Sequence, residues 1–438
     1  MKYLVKTFGC QMNEHDSEIL AGMMEEIGYE PVGRPEDADA IIINTCCVRE
    51  SAENRIIGYI GNLKKLKEQN PGLIITVSGC MLQQPGAAEN LIKRAPFVDL
   101  VLGTHNIHRL PQLISERQGG NESLIEVVET EGDIQEELPV KRQGKIKAQV
   151  TIMYGCNNFC SYCIVPFVRG RERSRKPEAI EKEIQNLGLE GFKEVLLLGQ
   201  NVNSYGLDFS EAFDFADLLE RVDRIPGIER IRYMTSHPRD FTQKLVDTIS
   251  KSQKVCEHFH LPIQAGSNRI LKQMNRGYSR EMYFELVESI REKVPKASIT
   301  TDIIVGFPGE TDDDFADTLD VIKRVRFDAA YTFLYSRRSG TPAAKISEQV
   351  PAEEKKKRLQ ILMDLENFIS REINEKLVGN REEVLVEGTS KTKDIMFSGR
   401  TRTNKIVIFP GEESMIGKLV NVNIMSAKTW HLEGQIIK

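Results

Sequence analysis

Three thiols crowd one short stretch of this chain, Cys156-Asn157-Asn158-Phe159-Cys160-Ser161-Tyr162-Cys163, in the spacing C-x3-C-x2-C. The stretch follows the apolar run Ala148-Gln149-Val150-Thr151-Ile152-Met153-Tyr154. Three thiolates on one loop can hold a metal centre while leaving one coordination position for a ligand or substrate. Iron–sulfur clusters are held by cysteine thiolates, often closely spaced. Structural zinc requires four nitrogen or sulfur ligands, usually as two paired half-sites. No fourth Cys or His lies beside the loop in sequence, although His237 or His260 could reach it in space. The spacing favours an iron–sulfur cluster, with zinc and a redox dithiol as the other readings.

A second set of cysteines is dispersed. Cys10, Cys46 and Cys80 each follow a β-like run, Tyr3–Phe8, Ala40–Asn44 and Leu73–Val77. Helical patterns separate the runs, with Ile19, Leu20, Met23, Met24 and Ile27 on one face of the first and Gly28 closing it. A β-α-β-α-β order implies a parallel sheet with helices on its faces. Ligands bind such sheets at the C-terminal strand ends. A free cysteine is ordinarily a small buried hydrophobe. That reading suits any one of the three, but poorly suits three at the same topological place beside the small residues Gly9, Thr45 and Gly79. A second three-thiolate cluster is expected, with Cys47 and Cys256 left as structural.

From Lys147 onward, strand patterns alternate with helical ones: Ala148–Met153, Glu194–Leu198, Arg230–Met234, His258–Leu261, Ser298–Val305 and Ala329–Leu334. Helical stretches lie between them at Pro177–Leu187, Phe213–Asp223, Asp240–Ser250, Ser279–Lys293 and Thr311–Val325. Such units build a partial or full barrel of parallel strands, whose chemistry lies at the C-terminal strand ends. Gln200, Ser236, His237, Gln264 and Asp302 fall at or near those ends and would converge on the mouth that holds the Cys156 loop. Turn chemistry is the plain alternative for each residue alone. The basic run Arg169-Gly170-Arg171-Glu172-Arg173-Ser174-Arg175-Lys176 is either a solvated face or a phosphate contact.

Two further segments bound the barrel. Gln118–Gln143 is rich in Gly and Glu and lacks a helical stripe, which places a domain boundary near Leu138. Glu353–Leu377 is a helix with an apolar side of Leu359, Leu362, Leu365 and Ile369. Five short strands follow: Glu383–Glu387, Asp394–Gly399, Lys405–Phe409, Leu419–Ile424 and Leu432–Ile437. They suit a small β-barrel. Arg400, Arg402, Lys405 and Lys428 are positioned to follow an RNA backbone, and solubility charges are the alternative.

Composition sets outer limits. The chain has 438 residues, 40% hydrophobic and 28% charged, enough for two or three globular domains. No apolar run approaches the ~20 residues of a membrane span, and Met1-Lys2-Tyr3 runs into a strand pattern rather than a signal peptide. A cytoplasmic protein with no membrane partner is expected. The net charge of −5 requires any nucleic-acid partner to be met by a local basic surface. Eight cysteines so unevenly placed do not form a secreted disulfide framework.

Taken together, these residues resemble the radical S-adenosylmethionine (SAM) enzymes, whose signature is C-x3-C-x2-C after the first strand of a β/α barrel. The added Cys10, Cys46 and Cys80 domain and the small C-terminal β domain resemble the methylthiotransferases, over essentially the whole chain. The stretches Cys156–Pro166, Arg169-Gly170 and Leu197-Leu198-Gly199-Gln200-Asn201-Val202-Asn203-Ser204-Tyr205-Gly206 are most similar to the branch acting on N6-isopentenyl-adenosine of tRNA. His260-Leu261-Pro262-Ile263-Gln264-Ala265-Gly266-Ser267 and Asp302–Glu310 are shared more widely among the branches. One loop departs: Tyr335-Ser336 is followed by Arg337-Arg338-Ser339-Gly340-Thr341, where the family has Pro-Arg-Pro-Gly-Thr, so no substrate role is carried over to it.

The resemblance implies an α/β multidomain architecture: residues 1–138 as an N-terminal parallel βαβ domain, 139–376 as a radical SAM partial barrel, and 377–438 as a TRAM-like RNA-binding barrel. It implies a 4Fe-4S cluster on Cys156, Cys160 and Cys163 that binds SAM and cleaves it to a 5′-deoxyadenosyl radical. An auxiliary 4Fe-4S cluster on Cys10, Cys46 and Cys80 would present a sulfur methylated by a further SAM. The target is C2 of the isopentenyl-adenosine at position 37 of tRNA, and no Ser-His-Asp arrangement is needed for such a carbon–hydrogen bond. Gln200, Ser236, Gln264 and Asp302 become candidates for positioning SAM. Arg169, Arg171, Arg175, Arg400, Arg402 and Lys405 become candidates for contacting the anticodon stem-loop. An electron donor such as flavodoxin or ferredoxin, and an iron–sulfur or sulfur delivery protein, are the implied partners. Two alternatives stay open: a sister methylthiotransferase acting on threonylcarbamoyl-adenosine or a ribosomal-protein aspartate, and a non-catalytic RNA-binding metalloprotein.

Overall fold

A computed structural model describes every residue except 48–49, 121–122, 129, 131, 133, 391–395 and 438, and of 50–54 only the backbone. The first unit runs β1 (Lys2–Thr7), α1 (Gln11–Glu26), β2 (Glu30–Pro31), β3 (Ala40–Thr45), α2 (Glu50–Gln69), β4 (Ile74–Gly79), α3 (Ala87–Arg94), β5 (Leu100–Leu102), α4 (Leu110–Gln118) and β6 (Leu124–Glu126). These strands form one parallel sheet in the order β2-β1-β3-β4-β5-β6. Every residue of β3 and β4 is buried, as strands covered on both faces require. Alternation divides them: Ile41, Ile43, Ile75 and Val77 pack with Ile56 and Ile60 of α2, whereas Ala40, Ile42 and Ile74 pack with Leu20, Met23 and Met24 of α1.

The stretch Gln118–Gln143 is more than a connector. It contributes β6 to the sheet edge, and Leu138 and Val140 pack against the α1 side of the core. Its charges, mixed with apolar residues only at intervals, mask that short strand in the sequence.

The second unit runs β7 (Lys147–Thr151), β8 (Met153–Tyr154), α5 (Val165–Val168), β9 (Arg173–Ser174), α6 (Pro177–Leu189), β10 (Glu194–Leu198), α7 (Phe215–Asp223), β11 (Arg230–Met234), α8 (Gln243–Lys251) and β12 (His258–His260). It continues through α9 (Asn268–Gln273), α10 (Arg280–Lys293), β13 (Ser298–Val305), α11 (Asp312–Val325), β14 (Ala329–Leu334) and α12 (Ala352–Glu375). Six parallel strands lie in two triplets, β7-β10-β11 and β12-β13-β14, linked by a bridge between Ile231 and Val255. Capping boxes start α7 (Asp214 with Asp217) and α11 (Thr311 with Asp314), fixing where each helix leaves the strand-end loops. The expected strand Ala148–Met153 breaks after Thr151. Met153–Tyr154 turns away and pairs antiparallel with Arg173–Ser174, so a short ribbon clamps the base of the cysteine loop.

The third unit is a closed barrel, β15 (Arg381–Thr389), β16 (Met396–Thr401), β17 (Ile406–Pro410), β18 (Leu419–Ala427) and β19 (Leu432–Ile436), in the order β15-β16-β17-β19-β18. Register shifts at Val386/Gly388 and Ile424/Ser426 bend the two long strands around it. The expected strand Asp394–Gly399 begins outside the described residues and is described from Met396. This barrel docks on the N-terminal strand ends of the second unit, opposite the cysteine loop. Arg230 and Arg232 of β11 donate to the backbone carbonyls of Glu383, Arg400, Thr401 and Arg402. No described helix is long and apolar enough to cross a membrane.

Candidate functional site

The Cys156 loop is shaped by its own backbone and by a distant clamp. Gly155 sits at φ +75°, and a Cβ there would strike the Gly170–Arg171 backbone, so only glycine lets the two ends of the loop approach. Cys156 N–H donates to the Gly170 carbonyl at 3.1 Å, Ser161 N–H to that of Met274 at 2.9 Å, and Ala343 N–H to that of Ser161 at 2.9 Å. Asn275 Nδ2 donates to the carbonyls of Asn158 and Phe159 at 3.3 and 3.1 Å. The loop is therefore fixed from three places in the chain.

Cys156, Cys160 and Cys163 line a cavity of about 320 Å³, and so do Cys10 and Cys80 of the first unit. Cys10 stands at the N-terminal end of α1. Cys80 follows Gly79, whose φ of +108° and contact with the Thr45 backbone leave no room for a Cβ. Cys46 is buried at the end of β3, where a Cβ on Gly9 would lie 2.8 Å from its own Cβ. Gly9 and Gly79 thus make space for neighbouring chain. Cys46 is not among the residues lining the cavity. Cys47 is buried in the apolar core together with Cys80, and Cys256 is buried in the second unit.

The thiols differ in electrostatics. Cys80 is pushed down to about 6, first by a hydrogen bond with Cys47, with burial opposing and the Arg169 guanidinium assisting. Burial pushes Cys156 up to about 11 and Cys163 up to about 12. Cys156 and Cys163 are thus poor anions by themselves, and a metal centre would favour their ionised form. Among the described residues no three His, Cys, Asp or Glu side chains converge closely enough to share one metal ion. A cluster spreads its thiolates more widely, because each takes a separate iron.

The strand-end residues meet the same cavity. Gln200 follows β10, Ser236 follows β11, Gln264 follows β12 and Asp302 lies within β13, and all four line it. Gln264 adopts φ +73° and is held between backbone bonds, its N–H to the Asp302 carbonyl and its carbonyl from Ile304 N–H, each at 2.9 Å. Gln200 Oε1, Ser236 Oγ and His237 Nε2 are buried without hydrogen-bond partners. Buried polar atoms are normally paired, so three orphans around one cavity fit a polar ligand seated there. His237 is held neutral, pushed down to about 2 by burial and by Arg276 and Arg239. Its Nδ1 accepts from Arg239 N–H at 3.3 Å, which places the ring proton on Nε2.

The basic residues expected to meet RNA are mostly committed elsewhere. Arg169 is buried, with Nε donating to Cys80 Sγ at 3.2 Å and Nη2 to Asp16 at 2.6 Å. Arg175 is buried between Glu136 (2.7 Å), Glu183 (2.8 Å) and the Thr151 carbonyl (2.7 Å). Neither reaches a phosphate. Arg171 is exposed, with its guanidinium 4.5 Å from the centre of the Phe159 ring. Arg402 grips Glu257 at 2.8 Å and the carbonyls of Gln253 and Val255, and Lys405 pairs with Asp328 at 2.7 Å. Arg400 contacts Asn404 and, at 3.4 Å, Glu387. Arg402 and Lys405 attach the C-terminal barrel to the second unit, so the expected phosphate role is corrected for them. The sequence reading also missed Arg276, a buried residue whose Nη1 donates to Cys160 Sγ at 3.2 Å. No spacing signal connects positions so far apart.

Comparison with known proteins adds independent support. The radical SAM superfamily model matches residues 150–322, the model described as uncharacterized protein family UPF0004 matches 2–103, and the TRAM domain model matches 375–437. The tRNA-2-methylthio-N(6)-dimethylallyladenosine synthase of Desulforamulus reducens is 57% identical over 435 residues, covering 99% of this chain and 95% of that protein. Its namesake from Pelotomaculum thermopropionicum is 57% identical over 434 residues, covering 99% and 97%. Among solved structures, the radical SAM methyltransferase TsrM of Kitasatospora setae, with cobalamin and a 4Fe-4S cluster bound, shares the fold. Its TM-score is 0.56 at 14% identity, covering 90% of this chain and 81% of that one. With more than half of its residues identical along nearly its full length, the chain belongs to the tRNA-2-methylthio-N(6)-dimethylallyladenosine synthase family of radical SAM enzymes.

Proposed function

We infer that this chain methylthiolates C2 of N6-isopentenyl-adenosine in tRNA, using SAM and two 4Fe-4S clusters. The observation that carries this reading is the shared cavity, which joins cysteines of the first unit to all three of the Cys156 loop. Cys156, Cys160 and Cys163 would hold one cluster, and Cys10, Cys46 and Cys80 the other. When bound, the clusters supply the electron that cleaves SAM to a carbon radical and the sulfur that is transferred.

The remaining chemistry belongs to the chain. Ser236 Oγ and Gln200 Oε1 are free to bond the polar groups of SAM, and His237 offers Nε2–H as a donor. Asp302 is placed to accept from a ligand hydroxyl or ammonium, with His260 Nε2 at 3.6 Å behind it. Val165, Val168, Leu198 and Met234 give the cavity an apolar wall that limits water around a reactive radical. A SAM-derived carbon radical would take the C2 hydrogen of adenine as an atom, so the chain needs no general base for that bond.

The substrate adenosine belongs to a single-stranded loop whose bases can be splayed out. Since Arg402 and Lys405 are bound to the second unit, the barrel would present another of its faces to tRNA. We also propose the division 1–138, 139–376 and 377–438, a cytoplasmic location, a low-potential donor such as flavodoxin or ferredoxin, and an iron–sulfur or sulfur delivery partner. Nucleoside mass spectrometry of tRNA from cells lacking the gene tests the reading. Loss of 2-methylthio-N6-isopentenyladenosine with accumulation of its unthiolated precursor is expected; loss of a different modified adenosine instead would overturn it.

A further inference from the structure

Two guanidinium groups are buried beside the cavity, and each donates to one cysteine sulfur. Arg169 Nε reaches Cys80 Sγ, and Arg276 Nη1 reaches Cys160 Sγ, both at 3.2 Å. Their remaining partners differ in charge. Arg169 is neutralised by the Asp16 carboxylate at 2.6 Å. Arg276 spends its other donors on the Pro262 carbonyl at 2.7 Å and the Tyr278 hydroxyl at 3.1 Å, and its described partners include no carboxylate. Arg239, a further cation nearby, is about half exposed and paired with Asp240.

A buried cation among neutral partners is strongly unfavourable unless an anion accompanies it. At Arg276 the neighbouring group that would carry that charge is the Cys160 sulfur as a cluster ligand, 3.2 Å from Nη1. Hydrogen bonds to the sulfurs and local net charge are among the factors that set an iron–sulfur potential. A nearby positive charge stabilises the reduced, more negative state, and a neutral ion pair does so far less.

We propose that Arg276 is a positioning residue that orients Cys160 and raises the reduction potential of the cluster on Cys156, Cys160 and Cys163, while the Arg169–Asp16 pair keeps the auxiliary cluster's potential low. The electron is thereby directed to the cluster that cleaves SAM. This assignment rests on the two-cluster reading.

Potentiometric titration with dithionite, followed by electron paramagnetic resonance, tests it on the full-length reconstituted protein. One background carries Cys10, Cys46 and Cys80 replaced by Ala, and the other carries Cys156, Cys160 and Cys163 replaced by Ala, so that each cluster is read alone. Arg276→Gln should weaken the electron affinity of the first cluster at least tenfold, about 59 mV for a one-electron couple, and Arg276→Lys should restore most of it. Asp16→Asn should shift the auxiliary cluster in the opposite direction, to a higher potential. An unmoved potential in Arg276→Gln with its cluster signal intact overturns the proposal. If Arg276→Gln holds no cluster, an unmoved auxiliary potential in Asp16→Asn overturns it. Absence of cluster signal in both parent backgrounds overturns the two-cluster reading itself, and this assignment with it.

Discussion

One cysteine set reaches the cavity whole and the other through Cys10 and Cys80, by opposite routes. Cys156, Cys160 and Cys163 lie on a single loop, closed by the Met153–Tyr154/Arg173–Ser174 ribbon and pinned by Met274, Asn275 and Ala343. Cys10, Cys46 and Cys80 are brought together only by the sheet, through the registers Tyr3↔Ala40 and Ala40↔Ile74. The electrostatics differ as well: burial disfavours the Cys156 and Cys163 thiolates, whereas Cys47 and Arg169 favour that of Cys80. The local set depends on its own loop and the contacts that pin it, whereas the dispersed set depends on the register of a whole sheet. The difference can be tested one residue at a time.

The largest expected effect comes from the local set. Replacing Cys156, Cys160 and Cys163 with Ala should abolish 5′-deoxyadenosine formation and remove about four irons per chain. Product formation by that variant would show that the loop is not the SAM-cleaving site. The glycines separate the two sets more finely. Gly79→Ala forces a left-handed position against the Thr45 backbone, a strain of about 1–3 kcal/mol before the clash is counted. It should lower Tm and auxiliary iron while SAM cleavage continues. Gly155→Ala should do the reverse, loosening the Cys156 loop and sparing the auxiliary iron. Equal losses in both variants would erase the distinction between local and dispersed assembly.

A smaller effect, touching neither set, is expected at the docked barrel. Arg402→Ala removes the bonds to Glu257, Gln253 and Val255. Hydrogen bonds to charged groups contribute about 1.5–3 kcal/mol each, and partial exposure reduces that here. Limited proteolysis should release the C-terminal barrel faster, with 5′-deoxyadenosine formation unchanged; unchanged proteolysis would mean that this contact does not hold the barrel.

The smallest effect concerns Glu366 on α12, whose carboxyl is pushed up to about 8 by burial and then by Asp328, against the pull of Lys405. A carboxyl with a raised folded-state pKa binds its proton more tightly when folded. Its contribution is therefore full at low pH and is lost as pH rises from the ordinary carboxylate range through about 8. Glu366→Gln should melt at an increasingly higher temperature than the parent as pH is raised from about 5 to about 8. A gap that stays constant with pH would contradict the assignment.

Much of this architecture was legible because it is periodic and local. Glu194–Leu198, Arg230–Met234, Ser298–Val305 and Ala329–Leu334 are strands with the expected limits, since apolar runs bounded by turn residues define them. The polar residues after those runs, Gln200, Ser236 and Gln264, indeed meet at one cavity. Short pairings were not legible: β5 has three residues, and β6 lies in a charged segment where its pairing with β5 is the only signal. The arginines were misread for a related reason. Nothing near Arg169 in sequence announces Asp16, nothing near Arg402 announces Glu257, and Arg276 meets Cys160 only after the chain has returned through β12 and α9. Basic character is local, but its neutralisation is tertiary.

The most direct test of the shared cavity uses the variant in which Cys10, Cys46 and Cys80 are replaced by Ala, reconstituted and given SAM, a reductant and isopentenylated tRNA. A two-cluster arrangement should still form 5′-deoxyadenosine here while no 2-methylthio nucleoside appears. A methylthiolated product from that variant would contradict it.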